Sequence, residues 1–324
     1  MIREKSSGDC LERAGNILKV KYAHDRRITG DGVGIVIFDT GLSVHPDLGE
    51  EGKIVVFKDF VQNRISCYDD NGHGTHVAGI AGGTGNMSQR RYIGIAPGCH
   101  LIIVKILDQK GDGNIKNVLN AIDWVIKNKE KYKIRVANIS VGTGNEEENG
   151  EESELVQGVN ALWDAGIVVC VAAGNNGPLP GSIGAPGNSR KVITVGACDD
   201  GQMVFMKGKQ KKNYSGRGPT RLCIKKPDLV APGSNIISCN GMWMNNHKFF
   251  NKTNVVHPSS YYTEKSGTSM ATPMVAGAVA LLLSKYPQMS NLEVKIRLKN
   301  TVRDLGFFHE IQGWGQLDIE RMLQ

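Results

Sequence analysis

The sequence predicts an α/β fold: a doubly wound, mostly parallel sheet flanked by helices, in a single domain. Two observations carry this. Short β-branched apolar runs recur between glycine or polar turns, and amphipathic stretches with helical spacing lie between them. Continuous apolar strands of this kind are buried on both faces, as in a parallel sheet covered by helices. The 324 residues include 40 glycines, about 12%, and the chain is 40% hydrophobic. That composition excludes fibrous and disordered classes.

In chain order, the first strand is Gly34 to Phe38, ending on Asp39. Later strands are Leu101 to Leu107, Val136 to Ser140, Ile167 to Ala173 and Val192 to Ala197. Helices are expected between them. Asn114 to Lys127 places Ile115, Val118, Leu119, Ile122, Val125 and Ile126 on one face, and Ser153 to Ala165 does the same with Leu155, Val156, Val159 and Leu162. Met274 to Leu283 is a further apolar helix, and no run is read as spanning a membrane. Cys239 to Lys265 has no clear period and is expected to be a surface excursion. No internal repeat or linker divides the chain.

The net charge is +7, from 39 Lys and Arg against 32 Asp and Glu. The cations are dispersed, so no nucleic-acid or membrane partner is expected. The densest basic run, Lys207, Lys209, Lys211 and Lys212, is read as a solvated loop. The 7 cysteines form no CxxC pair, which fits reduced thiols, and no leader is seen after Met1; the expected location is cytoplasmic.

Three segments put chemistry-bearing side chains at strand or helix ends beside glycines. Asp39 closes an apolar strand in the run FDTG. His73 opens a small-residue helix in NGHGTHVAG, where His76 and the nearby Asp69 and Asp70 keep a metal site open as an alternative. Ser269 enters an apolar helix in GTSMATPMVAG, where backbone N–H groups at the helix start suit an oxyanion. A fourth segment, VAAGN, supplies the amide of Asn175 at another strand end.

Together with HPDL, GIAPG and KPDLVAPG, these motifs resemble the subtilisin-like serine proteases from about residue 18 to residue 323, and the short stretch before them resembles that of the intracellular members. The order Asp, His, Ser and the oxyanion asparagine are established for subtilisin itself. The resemblance implies Ser269 as nucleophile, His73 as general base and then acid, Asp39 as the group that orients His73, and Asn175 in the oxyanion hole. It implies a substrate groove between Gly111, Asp112 and Gly113 on one edge and Ser140, Val141 and Gly142 on the other. Ala172, Ala173, Gly174 and Gly184 would line the pocket for the residue preceding the scissile bond. Protein or peptide substrates with large uncharged side chains are expected there.

Residues 1–18 read as a short extension before a peptidase domain at 19–324. No cofactor is expected. Asp47 matches a calcium-binding position of some members, but the companion segment Gly85 to Tyr92 carries Arg90 and Arg91, so calcium is not expected there. Six glutamates between Glu146 and Glu154 read as a solvated insertion, or as an attractor of basic substrates. Cys67 lies six residues before His73, within reach of the cleft. A catalytically silent peptide-binding scaffold is the alternative to an enzyme.

Overall fold

The structure is a computed structural model and describes residues 11–142, 152–206, 208–242 and 258–324. Seven strands form one parallel sheet in the order β2-β3-β1-β4-β5-β6-β9. They are β1 (Gly34–Asp39), β2 (Ile54–Asp59), β3 (His100–Lys105), β4 (Ile134–Ile139), β5 (Val168–Ala172), β6 (Ile193–Ala197) and β9 (Leu229–Ala231). The predicted strands are present within a residue or two at their ends, and β2 and β9 complete the edges.

Alternation along each strand feeds two cores. Ile35, Ile37, Leu101, Ile103 and Val136 face helices α3 (His73–Gly82) and α6 (Thr268–Lys285), while Val36, Phe38, Ile102, Val104 and Ala137 face α4 (Ile115–Asn128) and α5 (Glu154–Asp164). Both faces are covered, as a parallel sheet requires. By length and composition α6 could cross a membrane, but 83% of it is buried inside this fold, where it is the central core helix.

The remaining helices are α1 (Leu11–Leu18), α2 (Lys21–His24), α7 (Asn291–Thr301), α8 (His309–Gln312) and α9 (Ile319–Leu323). α1 lies in the segment read as an extension, yet Ala14 and Leu18 are fully buried in the core. Two small antiparallel sheets, β7 (Val204–Met206) with β8 (Lys209–Lys211) and β10 (Ile236–Cys239) with β11 (Tyr262–Lys265), stand outside the main sheet. For the described residues 239–242 and 258–265, the second corrects the reading of a surface excursion. Cys239, Tyr261 and Tyr262 are buried, because this ribbon lies across α3 rather than in solvent. Glu146 to Glu151 and residues 243–257 lie outside the described residues.

Candidate active site

The site forms where strand ends meet the first turns of α3 and α6. Asp39, the last residue of β1, is fully buried. Its Oδ1 accepts from Thr40 N at 2.8 Å and lies 2.7 Å from His73 Nδ1. A carboxylate can only accept, so Nδ1 carries the hydrogen and the neutral ring keeps Nε2 as a base. Burial is the largest influence on the His73 pKa and opposes its charged form. The attraction and hydrogen bond of Asp39 outweigh it, Lys265 lowers the pKa, Asp69 raises it, and the result stands above the usual histidine value.

His73 is placed by a cap borrowed from elsewhere. The N-cap of α3 is Gly72, which offers no side chain to the first-turn N–H groups. Thr40 and Asp69 supply the acceptors instead. Thr40 Oγ1 accepts from Gly74 N at 2.9 Å, and Asp69 Oδ2 accepts from Thr75 N at 2.9 Å and from the Thr75 hydroxyl at 2.6 Å. Asp69 Oδ1 accepts from Gly72 N, Asn71 N and the Thr40 hydroxyl. Burial pushes the Asp69 pKa up, but this set of donors outweighs burial and holds it below the ordinary carboxylate value. The approach is close: a Cβ on Gly74 would stand 2.3 Å from Gly41 O, and Gly41 itself has φ +117°. The sequence reading had weighed Asp69 only as a metal ligand; an aspartate three residues before a glycine N-cap was the signal for this role.

Lys105, at the end of β3, is a second residue the sequence reading missed. It is fully buried beneath Thr40, donating to Thr40 O, to Leu107 O at 2.8 Å and to Asp70 Oδ1 at 2.8 Å. His76 does not join His73 around a cation. Its Nε2 stands 3.1 Å from both Ile236 O and Thr263 O, and burial drives its pKa down to about 3.

Ser269 is the second residue of α6. Its hydroxyl donates to Ser140 O at 2.9 Å, and the Ser140 hydroxyl returns a bond to Ser269 O at 3.2 Å. That carbonyl is available for a physical reason: Pro273, four residues on, has no N–H to close the helical bond. Among the described residues no hydrogen bond joins Ser269 Oγ to His73; contacts between catalytic groups commonly tighten only with substrate. Asn175 Oδ1 accepts from Thr268 N at 2.9 Å and from the Thr268 hydroxyl at 3.2 Å. A backbone N–H needs an acceptor, which fixes the amide and leaves its NH₂ group open toward the start of α6. Gly174 N donates to Thr268 Oγ1 at 3.1 Å, so VAAGN and GTSM are bound to each other.

Two of the segments expected to form a substrate groove are tied to this centre. Gly111, Asp112 and Gly113 are exposed on a turn in which Asp108 N bonds Asp112 O at 2.9 Å and Leu107 bridges Gly113. Asn71 ties that turn to the His73 segment through Gln109 O at 3.0 Å. On the other side, Ser140, Val141 and Gly142 continue β4, and a Cβ on Gly142 would stand 3.1 Å from Ala185 O, next to Gly184. Ala172 and Ala173 are buried at the end of β5, and around Gly174 there is open space where a Cβ would go.

The calcium position does not fit a cation. Asp47 Oδ1 accepts from Met87 N at 2.9 Å and Oδ2 from the Tyr262 hydroxyl at 2.6 Å, so donors, not further oxygens, converge on it. His45 and Cys239 lie beside Asp47, but both His45 ring nitrogens are engaged, with Asp47 N and Tyr261 O. Cys67 is half-buried and burial raises its pKa, which disfavours the reactive thiolate.

Comparison with known proteins agrees with this architecture. Residues 30–315 match the Subtilase family, Peptidase S8. The chain is 42% identical over 277 residues to the serine protease AprX of Bacillus subtilis, covering 84% of this chain and 62% of that protein. It is 35% identical over 284 residues to Subtilisin Savinase of Lederbergia lenta, covering 88% of each. The crystal structure of a cold adapted subtilisin-like serine proteinase superposes with a TM-score of 0.64 at 28% identity, over 90% of this chain and 88% of that one.

Proposed function

The chain belongs to the subtilase family, and from that premise we propose that it is a serine endopeptidase acting through an acyl-enzyme on Ser269. The observation that carries the reading is the buried Asp39 at 2.7 Å from His73 Nδ1, which leaves Nε2 as a base facing the cleft.

Ser269 Oγ turns from Ser140 O toward His73 and attacks the scissile carbonyl carbon as Nε2 takes its proton. Asp39 holds the ring and stabilises the imidazolium. The carbonyl oxygen, now an anion, is received by the free NH₂ of Asn175 and by the N–H of Ser269, which as a first-turn donor has no intrahelical acceptor. The tetrahedral intermediate collapses, the C–N bond breaks, and His73 gives its proton to the departing amine. Water then repeats the sequence on the ester, releasing the acid and restoring the serine.

The Gly111–Gly113 and Ser140–Gly142 edges bind substrate as an extended strand, and Ala172 to Gly174 with Gly184 form a roomy pocket that accepts large uncharged side chains. Proteins and peptides are therefore the substrates. A fluorophosphonate probe tests the chemistry. The unaltered chain is expected to label on Ser269 and to hydrolyse peptides, with S269A doing neither. An unlabelled native chain that still binds peptides would replace the protease with a binding scaffold.

A further inference from the structure

Lysines border the reaction centre on two independent elements. In the β7–β8 ribbon, Val204 pairs with Lys211 and Met206 with Lys209, so these four side chains share one face. Val204 is buried beside Ala197 and Tyr214, and the Met206 methyl lies 3.5 Å from where a Cβ on Gly267 would stand, two residues before Ser269. Lys211 Nζ donates to Asn175 O at 3.1 Å. The ribbon is thus seated against both the nucleophile and the oxyanion segments, with Lys209, Lys211 and the adjacent Lys212 exposed to solvent. The described lysines of the basic run are solvated as expected, on a strand pair rather than a loop.

The second element is β11. His76 bonds the carbonyls of Ile236 and Thr263, and Ile236 is the register partner of Lys265, so Lys265 ends the ribbon lying across the first turn of α3. Lys265 is half-buried, and among the described residues no acceptor takes its ammonium. The carboxylates near it, Asp39 and Asp69, are committed to His73 and to the helix cap. Asp39 and Asp69 attract this ammonium through space but accept none of its hydrogens, and an incoming anion supplies that acceptor.

Resting on the protease reading above, we infer that this cleft selects peptide substrates carrying aspartate or glutamate just after the scissile bond, the preceding residue being taken by the uncharged pocket, and that Lys265 and the Lys209–Lys212 ribbon receive the acid. The half-buried Lys265 supplies most of the selectivity; exposed lysines contribute less because water screens them. The exposed Asp112, on the other rim, repels the same substrates and limits the preference to the lysine side.

The test uses three internally quenched peptides of identical sequence, with a large uncharged residue before the scissile bond, except for Glu, Gln or Lys at the position after it. At low ionic strength kcat/KM for the Glu peptide is expected to exceed that for the Gln peptide by about tenfold, and high salt should reduce this to about twofold. K265Q is expected to lower the Glu-to-Gln ratio at least about threefold, and K209Q/K212Q by about twofold. A ratio near one, a ratio unmoved by K265Q, or faster cleavage of the Lys peptide overturns the inference while leaving the protease standing. No hydrolysis of any peptide, with no fluorophosphonate labelling, overturns both.

Discussion

Asp69 and Asp228 are both buried carboxylates, at opposite ends of the parallel sheet, and they are held by opposite kinds of partner. Asp69, beside the carboxyl ends of the strands, receives only backbone N–H and hydroxyl groups. Asp228, just before β9, receives two ammoniums: Lys226 at 2.6 Å and Lys295 at 3.5 Å, with Thr194 N at 2.7 Å. Neutral donors fix the His73 turn through several short, directional bonds, and no ammonium bonds the Asp69 carboxylate itself. At the other end nothing reacts, and the paired charges pin α7 and the strand entry to the sheet. The same residue type is thus a positioning device in one place and a lock in the other.

The largest effect that could break this contrast is loss of the lock. D228N leaves two buried ammoniums without a counter-charge, since Lys226 is 1% and Lys295 15% exposed. Breaking a buried pair costs about 3–5 kcal/mol. Denaturant unfolding in an S269A background, which prevents self-digestion, should show that loss. The fraction of D228N that remains folded, with Ser269 restored, should keep native kcat/KM. A large fall in kcat/KM would place Asp228 in the same class as Asp69.

D69N is expected to do the reverse. One acceptor oxygen becomes an NH₂ donor facing Thr75 N–H, so the cap of α3 fails and His73 loses its fixed angle to Ser269. Displacing a catalytic group by about 1 Å costs on the order of a hundredfold in rate, while one unsatisfied buried donor costs about 1–3 kcal/mol of stability. Steady-state kinetics beside the same unfolding measurement decides it. Native kcat/KM in D69N would remove Asp69 from the positioning role.

The contrast also shows what a sequence can carry. Periodicity located β1 and β3 to β6 because burial on both faces imprints continuous apolar runs, and the four glycine-rich motifs marked Asp39, His73, Asn175 and Ser269. Asp69, Lys105 and Asp228 were not legible as they are used. Each has a distant partner, Thr40 for Asp69 and for Lys105 and Thr194 for Asp228, beside its local ones, and a buried charge looks like a surface charge until those partners are in place. The basic run is solvated as its charges suggest, but that it sits on a ribbon at the site was not legible, because Val204 and Met206, which seat it there, are too few to show a period.

The lock carries its own pH signature. Burial, opposed by Asp228 and reinforced by Lys295, brings the Lys226 pKa down to about 8 from 10.5. Between these values the unfolded chain binds the proton and the folded chain does not, so this group makes stability rise with pH across that window. Comparing the S269A chain with S269A/K226M from pH 7.5 to 10, the difference in unfolding free energy should move in favour of the lysine-containing chain as pH increases. A constant difference would mean that Lys226 is as stable a cation folded as unfolded.

The smallest effect is the sharpest test of why the positioning end is built from neutral donors. His73 must be neutral to accept a proton, so kcat/KM climbs with pH through the His73 pKa. Burial lowers that pKa and Asp39 more than restores it, placing the acid limb of the native chain above 6.5. Lys265 pulls the limb down and Asp69 pulls it up. K265Q should therefore move the limb to higher pH and D69N to lower pH, read with the uncharged Gln peptide so that substrate attraction does not enter. The opposite signs separate electrostatics from geometry. A D69N chain with a hundredfold lower plateau and an unshifted limb would act through geometry alone, whereas a shifted limb on a native plateau would mean that the carboxylate matters to His73 only as a charge.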